Sequence, residues 1–138
     1  STLYALAGST NGIVVGTGNK VEDFGVGFFT KYGDGGVDIS PIADLYKSEV
    51  YSLAESLQII QPIQDAPPTD GLWNDGRTDE DQIGATYEEL EWAMNEIENP
   101  SLEKELNERL AEVMRIYLNF NHMNSHKMNP IPIFKFKR

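Results

Sequence analysis

The sequence contains no cysteine, which excludes a disulfide framework, a thiolate metal site and a cysteine nucleophile. It holds two histidines, His122 and His126. Without a third ligand type at fixed spacing they do not make a zinc site. No apolar run approaches the roughly 20 residues of a membrane span, and the N-terminus lacks a basic stretch followed by an apolar one. Basic residues are scarce, 11 against 22 acids for a formal net charge of −11. That balance disfavours nucleic acid and anionic membrane as partners. A cytoplasmic protein acting on neither is expected.

What is present suits one globular unit. A chain of 138 residues with 40% apolar and 10% aromatic side chains can bury a core. Residues 1–7 read as the middle of an apolar helix, with no initiator Met and no capping sequence before Leu3. The chain therefore reads as a fragment.

Charge and glycine are unevenly spread. Residues 65–112 carry 15 of the 22 acids and three basic side chains, whereas residues 113–138 carry five basic side chains and no acid. The acidity is local and decorates solvated helix faces, while the cationic end is free to meet an anionic ligand. Nine of the 12 glycines lie within the first 36 residues, where backbone can turn and approach a ligand closely. Chemistry is expected there.

A pass along the chain gives a helix to Ala7, a turn at Gly8 to Gly12, and a short buried parallel strand Ile13-Val14-Val15. Residues 16–19 then lie beyond the strand's C-terminal end, where open α/β sheets bind ligands. Residues 20–27 form a short helix and residues 28–37 a loop dense in turn formers. Ser40 before Pro41 signals a helix start, with an apolar stripe running through Leu57. Residues 61–79 hold four of the chain's turn-forming prolines and glycines beyond Pro62 (Pro67, Pro68, Gly71, Gly76) and no periodicity. Loops of that length in compact domains are usually functional or mobile. Thr86 with Glu89 is a capping box opening a helix. A longer helix carries Leu106, Leu110, Val113, Tyr117 and Phe120 on one face, and the Pro-containing tail from Ser125 is extended.

Several motifs fail when tested. Gly16-Thr17-Gly18 lacks the third glycine of a dinucleotide fingerprint, which would fall on Val21. No G-x-x-x-x-G-K-[ST] occurs. Aligning Gly76 to the glycine of a calcium loop puts Gly71 and Gln82 at ligand positions, so that reading is rejected. Glu22 and Asp23 follow the glycine turn near Lys20, Lys31 and Asp34; one carboxylate with substrate phosphates is a common way to hold Mg²⁺. A helix-surface acid is the plainer alternative. His126-Lys127 offers two donors to a phosphate or carboxylate. Residues 32–36 suit an ordinary surface turn, Thr69 a loop hydroxyl, and Trp73 either packing or a stacking lid.

Taken together, the unbroken stretch G-T-G-N-K-V-E-D-F-G-V-G-F-F-T-K-Y-G-D-G-G-V-D over residues 16–38 resembles the signature of NAD⁺ synthetase. The resemblance continues through Pro41-Ile42-Ala43-Asp44-Leu45-Tyr46-Lys47, Pro67-Pro68-Thr69, Leu72-Trp73, Thr78-Asp79-Glu80-Asp81 and His126-Lys127. It spans nearly the whole chain but only the C-terminal half of the family's synthetase domain, because the S-G-G-x-D-S phosphate loop of ATP pyrophosphatases is absent. The fold it implies is α/β: part of a three-layer α/β/α, adenine-nucleotide alpha-hydrolase-like arrangement, mostly helical here with a short parallel strand.

The activity it implies is ATP-dependent amidation of deamido-NAD⁺ to NAD⁺ through an adenylate, releasing pyrophosphate and then AMP. Such chemistry asks for charge neutralisation and alignment rather than a protein nucleophile. Residue by residue, the resemblance gives Thr17, Lys47 and Thr69 to ATP, Glu22 to Mg²⁺, and Lys31, Asp38, His126 and Lys127 to deamido-NAD⁺. It also implies a homodimer, with ammonia or glutamine as nitrogen source. A fragment of this kind is expected not to catalyse alone. The rival reading is a non-catalytic module retained for dimerisation or ligand capture; another amidating ATP pyrophosphatase, such as GMP synthetase, fits residues 28–38 less well.

Overall fold

In the computed structural model, residues 1–69, 71, 75–101 and 107–137 are described. Helix α1 (Thr2–Thr10) ends where Asn11 adopts a left-handed conformation, φ 60°, and the chain turns back. The expected strand at Ile13-Val14-Val15 is reduced to one parallel bridge, Val15 to Ile39, the sole strand pairing among the described residues. Asp38 N donates to Val14 O at 2.8 Å and Gly16 N to Ile39 O at 2.7 Å. The pairing stops there for two reasons. The Asp38 carboxylate takes the Val14 N–H at 2.7 Å, and Pro41 has no N–H to extend the ladder. Gly16 permits the approach, since a Cβ there would meet Ser40 Oγ and Val37 Cγ2 at 2.9 Å.

The helix expected at 20–27 forms over Lys20–Val26, but wound as a π-helix. Such turns recur at functional positions because they redirect side chains. Buried Asn19 opens it, its side-chain oxygen accepting from Val21 N and Glu22 N at 3.0 Å. Gly27 closes it at φ 63°, where a Cβ would lie 2.5 Å from Asn124 Cβ. Its last carbonyls are satisfied from another helix: Asn121 Nδ2 donates to Gly25 O and Asn124 Nδ2 to Val26 O, both at 2.8 Å.

Four further helices frame this turn: α2 (Lys47–Ser56), α4 (Asp79–Ile83), α5 (Tyr87–Glu98) and α6 (Glu108–Met128), with a four-residue α3 (Gln61–Gln64) inside the expected loop. Thr78 with Asp81 and Thr86 with Glu89 form capping boxes that fix where α4 and α5 begin. The core lies where α5 and α6 pack on the π-helix, around Val21, Val26, Leu90, Ala93, Val113 and Tyr117.

Three boundaries differ from expectation. Helix α1 runs through Gly8 to Thr10 rather than ending at Ala7. Helix α2 starts at Lys47 rather than at Pro41, because Leu45 O accepts Lys20 N at 2.8 Å, leaving residues 41–44 as turns. Helix α6 runs to Met128, so the extended tail begins at Asn129 rather than Ser125. The first proline after the helix is Pro130, which constrains only Asn129, and Asn129 is indeed extended (φ −91°, ψ 151°). Leu72, Trp73 and Leu106 lie outside the described residues.

Candidate functional site

Two clusters of side chains form around the π-helix. The first is built on Glu22, whose half-buried carboxylate accepts at Oε1 from Lys47 Nζ at 2.8 Å and from the Tyr87 hydroxyl at 2.7 Å. Burial alone would raise the Glu22 carboxyl, but the bonds from Lys47 and Tyr87, with the Lys47 charge, hold it below the ordinary carboxylate range. Lys47 also stands 4.8 Å over the Tyr87 ring. It is placed there by the first turn of α2, where Ser48 N and Oγ both donate to Glu91 of α5, at 2.9 and 2.7 Å. Buried Asp79 approaches from α4, with Oδ2 3.3 Å from the Tyr87 hydroxyl, and its own N–H donates to Pro68 O. That bond ties the Thr69 loop to the cluster. Burial, then the Glu22 charge, pushes the Tyr87 hydroxyl above its ordinary value, so it remains a donor.

The second cluster is an open pocket of about 300 Å³ between residues 23–40 and the end of α6, walled by Asp23, Phe29, Lys31, Tyr32 and Lys127. Lys127 Nζ donates to Gly27 O at 2.9 Å and Phe29 O at 2.8 Å. Lys31 Nζ donates to His126 O and, at 3.3 Å, to Asn129 O. Both ammonium groups thus rest on uncharged acceptors. Asp23 lines the same pocket against Gly18, where a Cβ would fall 2.2 Å from its carboxylate oxygens. Burial first, then the charges of Glu22 and Asp34, pushes its carboxyl up to about 6.

The structure brings Glu22 and Lys47 into direct contact and puts Lys31 and Lys127 in one pocket wall, where Lys31 meets the backbone carbonyl of His126. Thr69 sits in the loop behind Asp79, its hydroxyl donating to Arg77 O at 3.3 Å. Thr17 is exposed on the turn before Asn19. The Asp38 carboxylate accepts from Val14 N and, at 3.3 Å, from the hydroxyl of Tyr4, which lines the pocket. His126 turns its ring toward Met123 O at 3.2 Å. Sequence reasoning missed Tyr87, although Tyr87, Leu90, Met94 and Ile97 share helical spacing and that stripe marks it as inward-facing.

Among the described residues no group of three or more histidine, aspartate or glutamate side chains could cage a metal ion, and no helix is long and apolar enough to cross a membrane. A cation at Glu22 would need its other ligands from a substrate. Among the described residues Glu22 Oε2 meets only Asn19 N, at 3.5 Å, so one carboxylate oxygen remains to contribute. That fits a magnesium ion bound chiefly through phosphates and water.

Comparison with known proteins gives these clusters a family. The NAD synthase family model matches residues 1–131. An NH(3)-dependent NAD(+) synthetase of Alkaliphilus metalliredigens is 49% identical over 110 residues, 80% of this chain and 44% of that protein. One from Archaeoglobus fulgidus is 42% identical over 128 residues, 93% of this chain and 49% of that protein. The chain spans about half the length of the curated relatives it matches. Among solved structures, an NMN synthetase from Francisella tularensis superposes with TM-score 0.79 at 35% identity, covering 98% of this chain and 52% of that one. An NH3-dependent NAD synthetase from Campylobacter jejuni gives 0.71 at 25%, covering 97% and 50%. A gapless signature, the Glu22–Lys47 cluster it builds and a match across 1–131 agree, and the chain belongs to the NAD synthase family.

Proposed function

We propose that this chain forms the C-terminal half of a synthetase domain with the three-layer α/β/α arrangement of ATP pyrophosphatases, and that it takes part in ATP-dependent amidation of deamido-NAD⁺. The observation that carries the reading is the Glu22–Lys47 ion pair beside the glycine turn, together with a pocket lined by Lys31 and Lys127. Two polyanionic substrates need two cationic sites.

In this reading Thr17, Thr69 and Lys47 hold ATP, with Lys47 leaving Glu22 for the phosphates, and Glu22 holds Mg²⁺. The metal supplies charge neutralisation at the phosphates. Lys31, His126 and Lys127 grip deamido-NAD⁺, and Asp38 reaches it only by sharing the hydrogen bonds it makes to Val14 and Tyr4. The nicotinate carboxylate attacks the α-phosphorus and the α–β P–O bond breaks, releasing pyrophosphate. Ammonia then adds to the acyl carbon, loses a proton, and expels AMP. The relatives are NH(3)-dependent NAD(+) synthetases, which supports ammonia rather than glutamine. The chain's part is to hold and align both substrates, which converts a bimolecular step into an intramolecular one.

The likeness to an NMN synthetase favours a second acceptor, the mononucleotide, for the same amidation. Calorimetry of the purified chain with Mg²⁺·ATP, deamido-NAD⁺ and nicotinate mononucleotide tests binding, and sedimentation tests the homodimer. The chain alone is expected to bind without turnover. A chimera supplying the unmatched portion of the Archaeoglobus fulgidus relative is expected to form NAD⁺ and AMP; a folded chimera that binds both substrates and forms neither product contradicts the reading.

A further inference from the structure

We propose that Tyr87 is a positioning residue for the phosphate end of this site, its hydroxyl fixing the Glu22 carboxylate while its ring seats the Lys47 ammonium. The inference rests on the reading of Glu22 and Lys47 just given and adds a residue to it. Tyr87 opens α5 directly after the Thr86 cap, and its ring is buried in the core that α5 and α6 make with the π-helix. Only the hydroxyl end leaves that core. It lies 2.7 Å from Glu22 Oε1 and 3.3 Å from Asp79 Oδ2; with one proton to give, it donates to the nearer oxygen.

Lys47 Nζ binds the same Oε1 at 2.8 Å and sits 4.8 Å from the Tyr87 ring centroid. Oε1 therefore takes two donors, and among the described residues Oε2 is left with the single long contact to Asn19 N. The carboxylate is held in one orientation, with one oxygen engaged and the other available. When Lys47 moves to a phosphate, the hydroxyl bond is what keeps Glu22 in place. The ring meanwhile offers the departing ammonium a surface that does not compete with an anion. One side chain acts on both groups through two separable parts.

That separation supplies the test. Tyr87→Phe removes the hydroxyl and keeps the ring, while Tyr87→Leu removes both. Inorganic tripolyphosphate serves as the probe, titrated calorimetrically into the purified chain with EDTA and again with Mg²⁺, with thermal melting followed alongside. Wild type is expected to bind more tightly with Mg²⁺. Y87F is expected to keep its metal-free affinity within about twofold and to lose about tenfold of the Mg²⁺-dependent gain, the low end of what a hydrogen bond to a charged group is worth. Y87L is expected to lose affinity in both titrations. In a Glu22→Gln background Y87F should change nothing further.

A Y87F chain that keeps the full Mg²⁺ gain overturns the positioning role while leaving the nucleotide reading intact. One that fails to fold shows the hydroxyl to be structural and overturns it as well. A wild-type chain that binds no tripolyphosphate under either condition sinks the nucleotide reading and the role of Tyr87 together.

Discussion

The two clusters treat their lysines in opposite ways. Lys47 is neutralised by Glu22 at 2.8 Å, whereas Lys31 and Lys127 stand on backbone carbonyls, which leave their charge uncompensated. A polyanion meets the pocket lysines without displacing a counter-charge. At Lys47 it must take the ammonium from a carboxylate, and a divalent cation must then take up the carboxylate. The first cluster is therefore suited to a ligand arriving with its own metal, the second to one arriving without.

The difference can be broken at Glu22. Glu22→Ala is expected to abolish Mg²⁺-dependent amidation in the active chimera, a fall of about a hundredfold or more, since it removes the carboxylate proposed to hold the metal. The measurement is initial NAD⁺ formation against Mg²⁺ concentration. Next in size, Lys127→Ala removes two hydrogen bonds across 98 and 100 positions of chain. It should lower stability by about 1–2 kcal/mol and weaken deamido-NAD⁺ while sparing Mg²⁺·ATP, which denaturation and calorimetry resolve.

Asp23 sharpens the contrast by pH. Its folded-state carboxyl, near 6, sits above its ordinary 3.8, so folding takes up a proton between those values. The resulting stabilisation is complete below about pH 4 and is lost as pH rises through 6. Asp23→Asn should flatten that slope in melting temperatures recorded in metal-free buffer, and should raise the melting temperature at pH 7. The smallest effect lies away from both clusters. Hydrogen bonds from Arg109 hold the Glu89 carboxyl below its ordinary range, so Arg109→Ala should lower stability slightly at neutral pH and less as Glu89 protonates. Urea titrations at pH 3.5 and 7 check this.

Much of this architecture was readable in the sequence where one residue type has one use. Thr86 with Glu89 marks the start of α5 without any tertiary information. The glycine-rich segment pointed to the candidate site, and Gly16, Gly18 and Gly27 there occupy positions where a Cβ would collide. Glu22 and Lys47 came from the family resemblance, and the structure joins them. What could not be read depends on pairs far apart in the chain. The π-helical turn is held by Asn121 and Asn124 from nearly 100 positions away. Helix α2 starts late because Lys20 takes the Leu45 carbonyl. Tyr87 was legible as a buried ring, but the partner of its hydroxyl lies 65 positions upstream.

The most direct test of two sites for two ligands is calorimetry of wild type, Lys47→Ala and Lys127→Ala with Mg²⁺·ATP and, separately, with deamido-NAD⁺. The account predicts a crossed pattern in which Lys47→Ala weakens ATP and spares the dinucleotide, and Lys127→Ala does the reverse. Both variants weakening the same ligand, or wild type binding neither, would contradict it.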